Sequence, residues 1–232
     1  MLVTAVVCGM IMFAAVSPSA ATTPIWGYSY QELAAEWWKW VYSIPCTEDW
    51  CPNPVVDTTG DYCAVGQHGD VWFLAGAFGG EVERHCYVPE GMPLFFPVIN
   101  SGVAFDSPNA CGQGPESYSV KELRSWVAPS IDAATKLSAT LDGKPVRMQR
   151  EQSVVFEIAV PKNNVYEYLF NIECAQGVYS PAVDDGYYAL LNPLKKGPHT
   201  LHIHAEIPQP DPYPNWVLDV TYNLTVVPVK LK

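Results

Sequence analysis

His202, His204 and Glu206 occupy alternate positions of one predicted strand, so their side chains share a face. Imidazole and carboxylate in that pattern suit zinc, copper or manganese. Thr200 continues the same face as ordinary polar surface, and no second ligand-rich segment is evident. The expectation is therefore a wet strand face with no resident metal, and His199 falls on the opposite face. Carboxylates are the next chemistry to weigh. Asp57, Asp61 and Asp70 flank a glycine-rich stretch, and Asp184-Asp185 precede Gly186. Glycoside hydrolysis needs two carboxyls facing each other across a set gap, but Asp before Gly or Thr commonly caps a turn, and that reading is preferred. No G-x-S-x-G, H-E-x-x-H or phosphate loop occurs, and nothing calls for a cofactor.

Aromatic residues offer a non-catalytic chemistry. The chain holds 8 Trp and 13 Tyr, and Trp38, Trp50, Tyr179, Tyr213 and Trp216 fall in or beside predicted loops or at a helix edge. Such rings stack on pyranose faces, or they cover the core edges of a sandwich. The sequence leaves both readings open. Asn223-Leu224-Thr225 is the one N-glycosylation sequon, on the wet face of the last strand.

The elements that position these residues can be read from periodicity. Residues 28–44 suit a helix: at about 100° per residue, Trp37, Trp40 and Ile44 fall within about 40° of Leu33. Glu32, Glu36 and Lys39 take the other side. Trp37 and Trp40 are expected in the core, and Trp38 at the edge of the stripe, exposed. A second helix is expected from Val120 to Lys136, broken or kinked at Pro129. Residues 101–117 read as a long loop. Gly79-Gly80 is expected to join "DVWFLAGAF" and "VERHCYV" in a hairpin, and Asp142-Gly143 to make another. Short strands with Pro/Gly turns, 21 prolines in all, predict a mostly β fold: an antiparallel β-sandwich, jelly-roll or immunoglobulin-like, with two accessory α-helices. One domain is expected over 22–232, with a sub-boundary conceivable near 138.

Bulk properties place the chain. Residues 2–16 are almost wholly apolar and small residues follow, the layout of a signal peptide spanning 1–21. That run is shorter than the ~20 residues a membrane span needs, so no stable membrane insertion is expected. The net charge of −11 argues against nucleic acid as a partner. Six cysteines remain after Cys8 leaves, an even number that reads as a disulfide framework. Cys46 and Cys51 close a short proline-flanked loop. Cys63 and Cys86 bracket the predicted hairpin, a link worth about 3 kcal/mol by chain entropy. Cys111 and Cys174 remain as the third pair.

"AEWWKWVYSIP", "NPVVDTTGDYCAVGQHGDVWFLAG", "CYVPEGMPLFFPVIN" and "DDGYYALLNPLKKGPHTLHIHAE" with "VTYNLTVV" resemble a family of exported proteins with no assigned activity. The resemblance spans about Tyr28 to Val227 and implies secretion and a mostly β fold, but no reaction. "CTEDWC" departs from the shorter connector such proteins tend to have. The functional expectation is a secreted, non-catalytic binding or structural protein of the cell surface or extracellular matrix (the periplasm in a Gram-negative source), with an extracellular glycan as partner. The alternative is a secreted glycan hydrolase using carboxylates.

Overall fold

The computed structural model describes residues 26–100, 104–105, 117–171 and 176–228. The expected leader and the Cys111–Cys174 pair lie outside the described residues. The described residues form three helices: α1 (Tyr30–Ser43), α2 (Val120–Asp132) and α3 (Val165–Phe170). A four-stranded sheet runs, across its width, β1 (Trp72–Phe73), β3 (Leu94–Asn100), β10 (Asp185–Leu191) and β7 (Gln149–Gln152). A five-stranded sheet runs β2 (Gly80–Pro89), β12 (Trp216–Val227), β11 (Gly197–Ile207), β5 (Thr135–Leu141) and β6 (Lys144–Pro145). A three-stranded sheet runs β4 (Ala104–Phe105), β9 (Gly177–Val183) and β8 (Phe156–Val160).

The fold class matches the expectation: mostly β, with two large sheets packed face to face. Leu94, Phe96 and Val98 of β3 interleave with Leu201, Ile203, Val220 and Leu224 of the five-stranded sheet. Phe95, from the other face of β3, packs with Trp37, Trp40 and Phe73 under α1. The run "LFFPVIN" is continuous in hydrophobicity because β3 is covered on both faces. The pairing is not antiparallel throughout. β1 runs parallel to β3, and β2 runs parallel to β12 over ten residues. Gly79 and Gly80 make the expected turn at positive φ, but the strands they separate enter different sheets, so that hairpin does not form. The Asp142-Gly143 hairpin does form, with Leu141 opposite Lys144 and both turn residues at positive φ. Residue 138 lies within β5.

Local chemistry sets the helix ends. Ser29 accepts from the Glu32 N–H, and Glu32 accepts back from the Ser29 N–H, a capping box that fixes the start of α1. Ser119 and Glu122 do the same for α2, which carries Pro129 inside it and ends at Asp132, short of the expected Lys136. α3, unforeseen in the sequence, starts from Asn164, whose side chain accepts from the N–H groups of Tyr166 and Glu167. The Trp37 indole donates to the Leu74 carbonyl and that of Trp40 to the Val65 carbonyl, both at 2.9 Å. Trp38 corrects the expectation. It is 8% exposed, packed edge-on against Trp37 and near Tyr42. The wheel assumed that one flank of α1 met solvent, whereas other elements also pack around that flank.

Arg84, 1% exposed, lies on the inward face of β2. Its guanidinium donates to the carbonyls of Asp57, Ala75 and Gly76 and to the Tyr222 hydroxyl, which itself donates to the Ala75 carbonyl. The Cys46–Cys51 and Cys63–Cys86 disulfides form as expected. Among the described residues no helix is long and apolar enough to cross a membrane.

In urea unfolding, Arg84→Leu is expected to lose at least about 3 kcal/mol, since each buried acceptor left bare costs ~1–3 kcal/mol. Arg84→Lys should rescue little, because an ammonium lacks the planar fork. Trp40→Ala and Trp38→Ala should each cost about 3–5 kcal/mol. A near-silent Trp38→Ala would restore the exposed-edge reading.

Candidate binding site

A cleft of about 1050 Å³ opens between the Trp38 flank of α1, the 76–80 turn, α3 and the segment joining β11 to β12. Trp38 and Asn100 form part of its wall, and Phe78, Phe170, Tyr213 and Trp216 also line it. Phe78 meets Phe170 edge-on at 5.9 Å, and Tyr166 packs on Phe170 at 4.8 Å. Gly79 permits the close approach of Trp216: a Cβ at that position would come within 2.7 Å of the indole nitrogen. Asn100, Gln209 and Asn215 supply amides, and among the described residues that line the cleft none is charged.

The cleft thus gathers three of the five aromatic candidates. Tyr213 is 69% exposed, Trp216 is half-buried, and Trp38 belongs to the wall rather than to an open surface. The other two lie elsewhere. Trp50 is exposed and donates its indole N–H to the Tyr62 hydroxyl. Tyr179, on β9, is half-buried and packs against the α1 core.

The carboxylates face different tasks. Asp57 caps a turn, accepting from the N–H groups of Thr59, Gly60 and Tyr62 and from the Thr59 hydroxyl. Burial pushes its carboxyl up, but these bonds outweigh burial and hold it below the usual range. Asp61 and Asp70 are exposed. Asp185 accepts two bonds from Arg150, at 2.9 and 3.0 Å, and Arg150 also binds Asp132. Asp184 is fully buried between β9 and β10, where one extended segment leaves the three-stranded sheet and enters the four-stranded one. Ser153 occupies the same level between β7 and β8. Its hydroxyl accepts from the Asp184 N–H, and its N–H donates to the Asp184 carbonyl.

Around Asp184 lies a polar cluster that the sequence did not announce. The Tyr188 hydroxyl donates to Asp184 Oδ2 in a short hydrogen bond. The Trp38 indole and the Asn100 amide reach toward this pair, yet Trp38 Nε1, Asn100 Nδ2, Asp184 Oδ1 and Arg124 Nη1 are all buried without a hydrogen-bond partner. Burial pushes the Asp184 carboxyl up to about 7; the Tyr188 hydroxyl bonded to it and the nearby, unbonded Trp38 N–H oppose that rise, and the Asp185 charge adds to it. A usable signal was the apolar surroundings of "PAVDDGYYALL", which make a solvated turn an unlikely setting for two acids.

The histidine strand is also self-satisfied. His202 Nε2 and His204 Nδ1 each lie 2.8 Å from one oxygen of Asp219, on β12. Glu206 binds Lys136 at 3.0 Å and the Asn215 amide at 3.1 Å. Asp219 was missed because it becomes a neighbour only through the β11–β12 register, which sets it opposite His204. Among the described residues no group of three or more such side chains is arranged to hold a metal ion. Asn223 sits on the outer face of β12 with its amide nitrogen bonded to Glu83 at 2.7 Å.

Asp184 gives a pH dependence with a definite sign. Its folded value lies above the ~4 of an unfolded carboxyl, so the folded state keeps a proton that the unfolded chain releases. This contribution is present below about pH 4 and is lost as pH rises toward about 7. Glu32, Asp142 and Asp219, held below the usual range, act in the opposite direction. Subtracting the stability profile of Asp184→Asn from that of the native protein should isolate a fall of roughly 4 kcal/mol across that window. Parallel profiles would place an ordinary carboxyl at 184.

No family model matches the chain, and no curated protein matches it. Among solved structures, the solution structure of amebosin aligns over 61% of this chain and 89% of that one, at 9% identity and a TM-score of 0.17, a level from which nothing follows about this chain.

Proposed function

We propose that this is a secreted, non-catalytic binding protein whose aromatic cleft takes a neutral carbohydrate. The observation that carries the reading is the company kept by Tyr213 and Trp216: aromatic faces and side-chain amides around one cleft, with no charged residue among its described lining. The C–H face of a pyranose packs on an aromatic ring, and amides fix the hydroxyls, so a mostly apolar site with a few placed polar groups suits it. The two disulfides, the apolar leader expected over 1–21 and the resemblance to exported proteins support secretion. The hydrolase reading draws no support from the carboxylates, because Asp57, Asp184 and Asp185 are committed to turn, strand-switch and ion-pair contacts.

Retention on insoluble cellulose, chitin and xylan tests the proposal. The native protein should be held by at least one of them, and Trp216→Ala or Tyr213→Ala should weaken binding about tenfold or more, as loss of a central aromatic anchor does. Trp50→Ala should leave it unchanged. Retention that survives both cleft variants, or release of reducing ends from the retained polymer, would defeat the reading.

A further inference from the structure

The four bare polar atoms around Asp184 form a set with complementary chemistry. Trp38 Nε1, Asn100 Nδ2 and Arg124 Nη1 are donors, and Asp184 Oδ1 is an acceptor. They belong to four different elements, α1, β3, α2 and the β9–β10 junction, and all surround one fully buried carboxyl. Two of these residues, Trp38 and Asn100, also form part of the cleft wall. Buried donors and a buried acceptor that lack partners around one carboxyl are an arrangement that a change of charge can close, because an ionised acceptor binds about twice as strongly as a neutral one.

We propose that Asp184 is a positioning residue for Trp38: the ionised carboxylate draws in the indole N–H and fixes the cleft wall, and the neutral acid releases it, so the cleft responds to pH. This rests on the carbohydrate-binding reading for its consequence, not for its mechanism. Each neighbouring charge has a defined place. Asp185 is adjacent in sequence, and its carboxylate is neutralised by Arg150 of β7. Arg124 of α2 senses both aspartates while donating to the Ser153 carbonyl. Tyr188 donates to Asp184, and burial together with the nearby carboxylate keeps its own hydroxyl protonated well above the ordinary tyrosine range. Asp184 is therefore the group of this cluster that changes charge near neutrality.

Coupling of this kind is reciprocal. If ionisation of Asp184 holds Trp38, removing the Trp38 N–H must make Asp184 harder to ionise. The test needs no ligand. In NMR of the full-length protein, the Trp38 indole N–H resonance, assigned by its loss in Trp38→Phe, is followed from pH 5 to 9 beside the Asp184 carboxyl carbon. Both should titrate with one midpoint near 7. The indole titration should vanish in Asp184→Asn, and the carboxyl midpoint should rise in Trp38→Phe and in Tyr188→Phe. Retention on whichever of cellulose, chitin and xylan holds the native protein should then differ between pH 6 and pH 8, by up to about tenfold for each unit separating the free and bound midpoints. An indole resonance indifferent to pH, or a carboxyl midpoint unmoved in Trp38→Phe, overturns the proposal. A shared titration without retention on any of the three polymers upholds the device and defeats the carbohydrate reading.

Discussion

The buried guanidinium of Arg84 is the constraint around which the sandwich is arranged. A cation inside a protein must be surrounded by oxygen, and here the oxygens come from the turn at Asp57, from Ala75 and Gly76 beyond β1, and from Tyr222 on β12. The Tyr222 ring also lies under the guanidinium, 5.3 Å from its centre. None of these oxygens is sufficient alone. Together they fix where the disulfide-bearing turn meets the sheet edge, and the Cys63–Cys86 bond and the Thr59 carbonyl, which accepts from the His85 N–H, fasten the same turn to β2. The outer strand of the five-stranded sheet is thereby covered over part of its length and kept from acting as an open edge.

A second polar knot, at Asp184, plays a comparable part on the other side of β3. Two extended segments that pass from one sheet to another do so at this level, one through Ser153 and one through Asp184, each bonded to the other's backbone. Backbone groups leaving a ladder need new partners, and the serine hydroxyl and these cross-bonds supply them. The cleft wall is built on this junction. The buried carboxyl of this junction lies beside the Trp38 indole, so the place where strands change sheets adjoins the wall of the candidate site.

Local signals in the sequence were the trustworthy ones. Trp37 and Trp40 were legible because a 3.6-residue period needs only one helix, and the Asp142-Gly143 turn because its strands are neighbours in the chain. Cys63 and Cys86 were paired correctly although the hairpin invoked between them does not exist; their closeness comes from the turn lying along β2. What failed required a distant partner. Trp38 is buried by elements that a helical wheel cannot contain, and β2 takes its neighbour from the far end of the fold. Tyr213 and Trp216 were recognisable as loop-side aromatics, but their meeting with Trp38 depends on the packing of three elements. Asp184 looked like a turn residue because nothing in its immediate sequence says that the strand there changes sheets.

The parallel pairing of β2 with β12 also imposes an order of assembly. β2 ends at Pro89 and its partner begins at Trp216, so the pairing closes one of the longest loops in the molecule. Contacts of such separation form late and slow the folding rate. A nascent chain emerging from the ribosome N-terminus first therefore presents β2, and an Arg84 still lacking Tyr222, well before anything can pair with them. The disulfide at Cys86 can attach the covering turn, but the sheet itself waits. The keystone strand β12 is made long after β2, and until it arrives the earlier part of the chain is a client for whatever holds unfinished proteins apart.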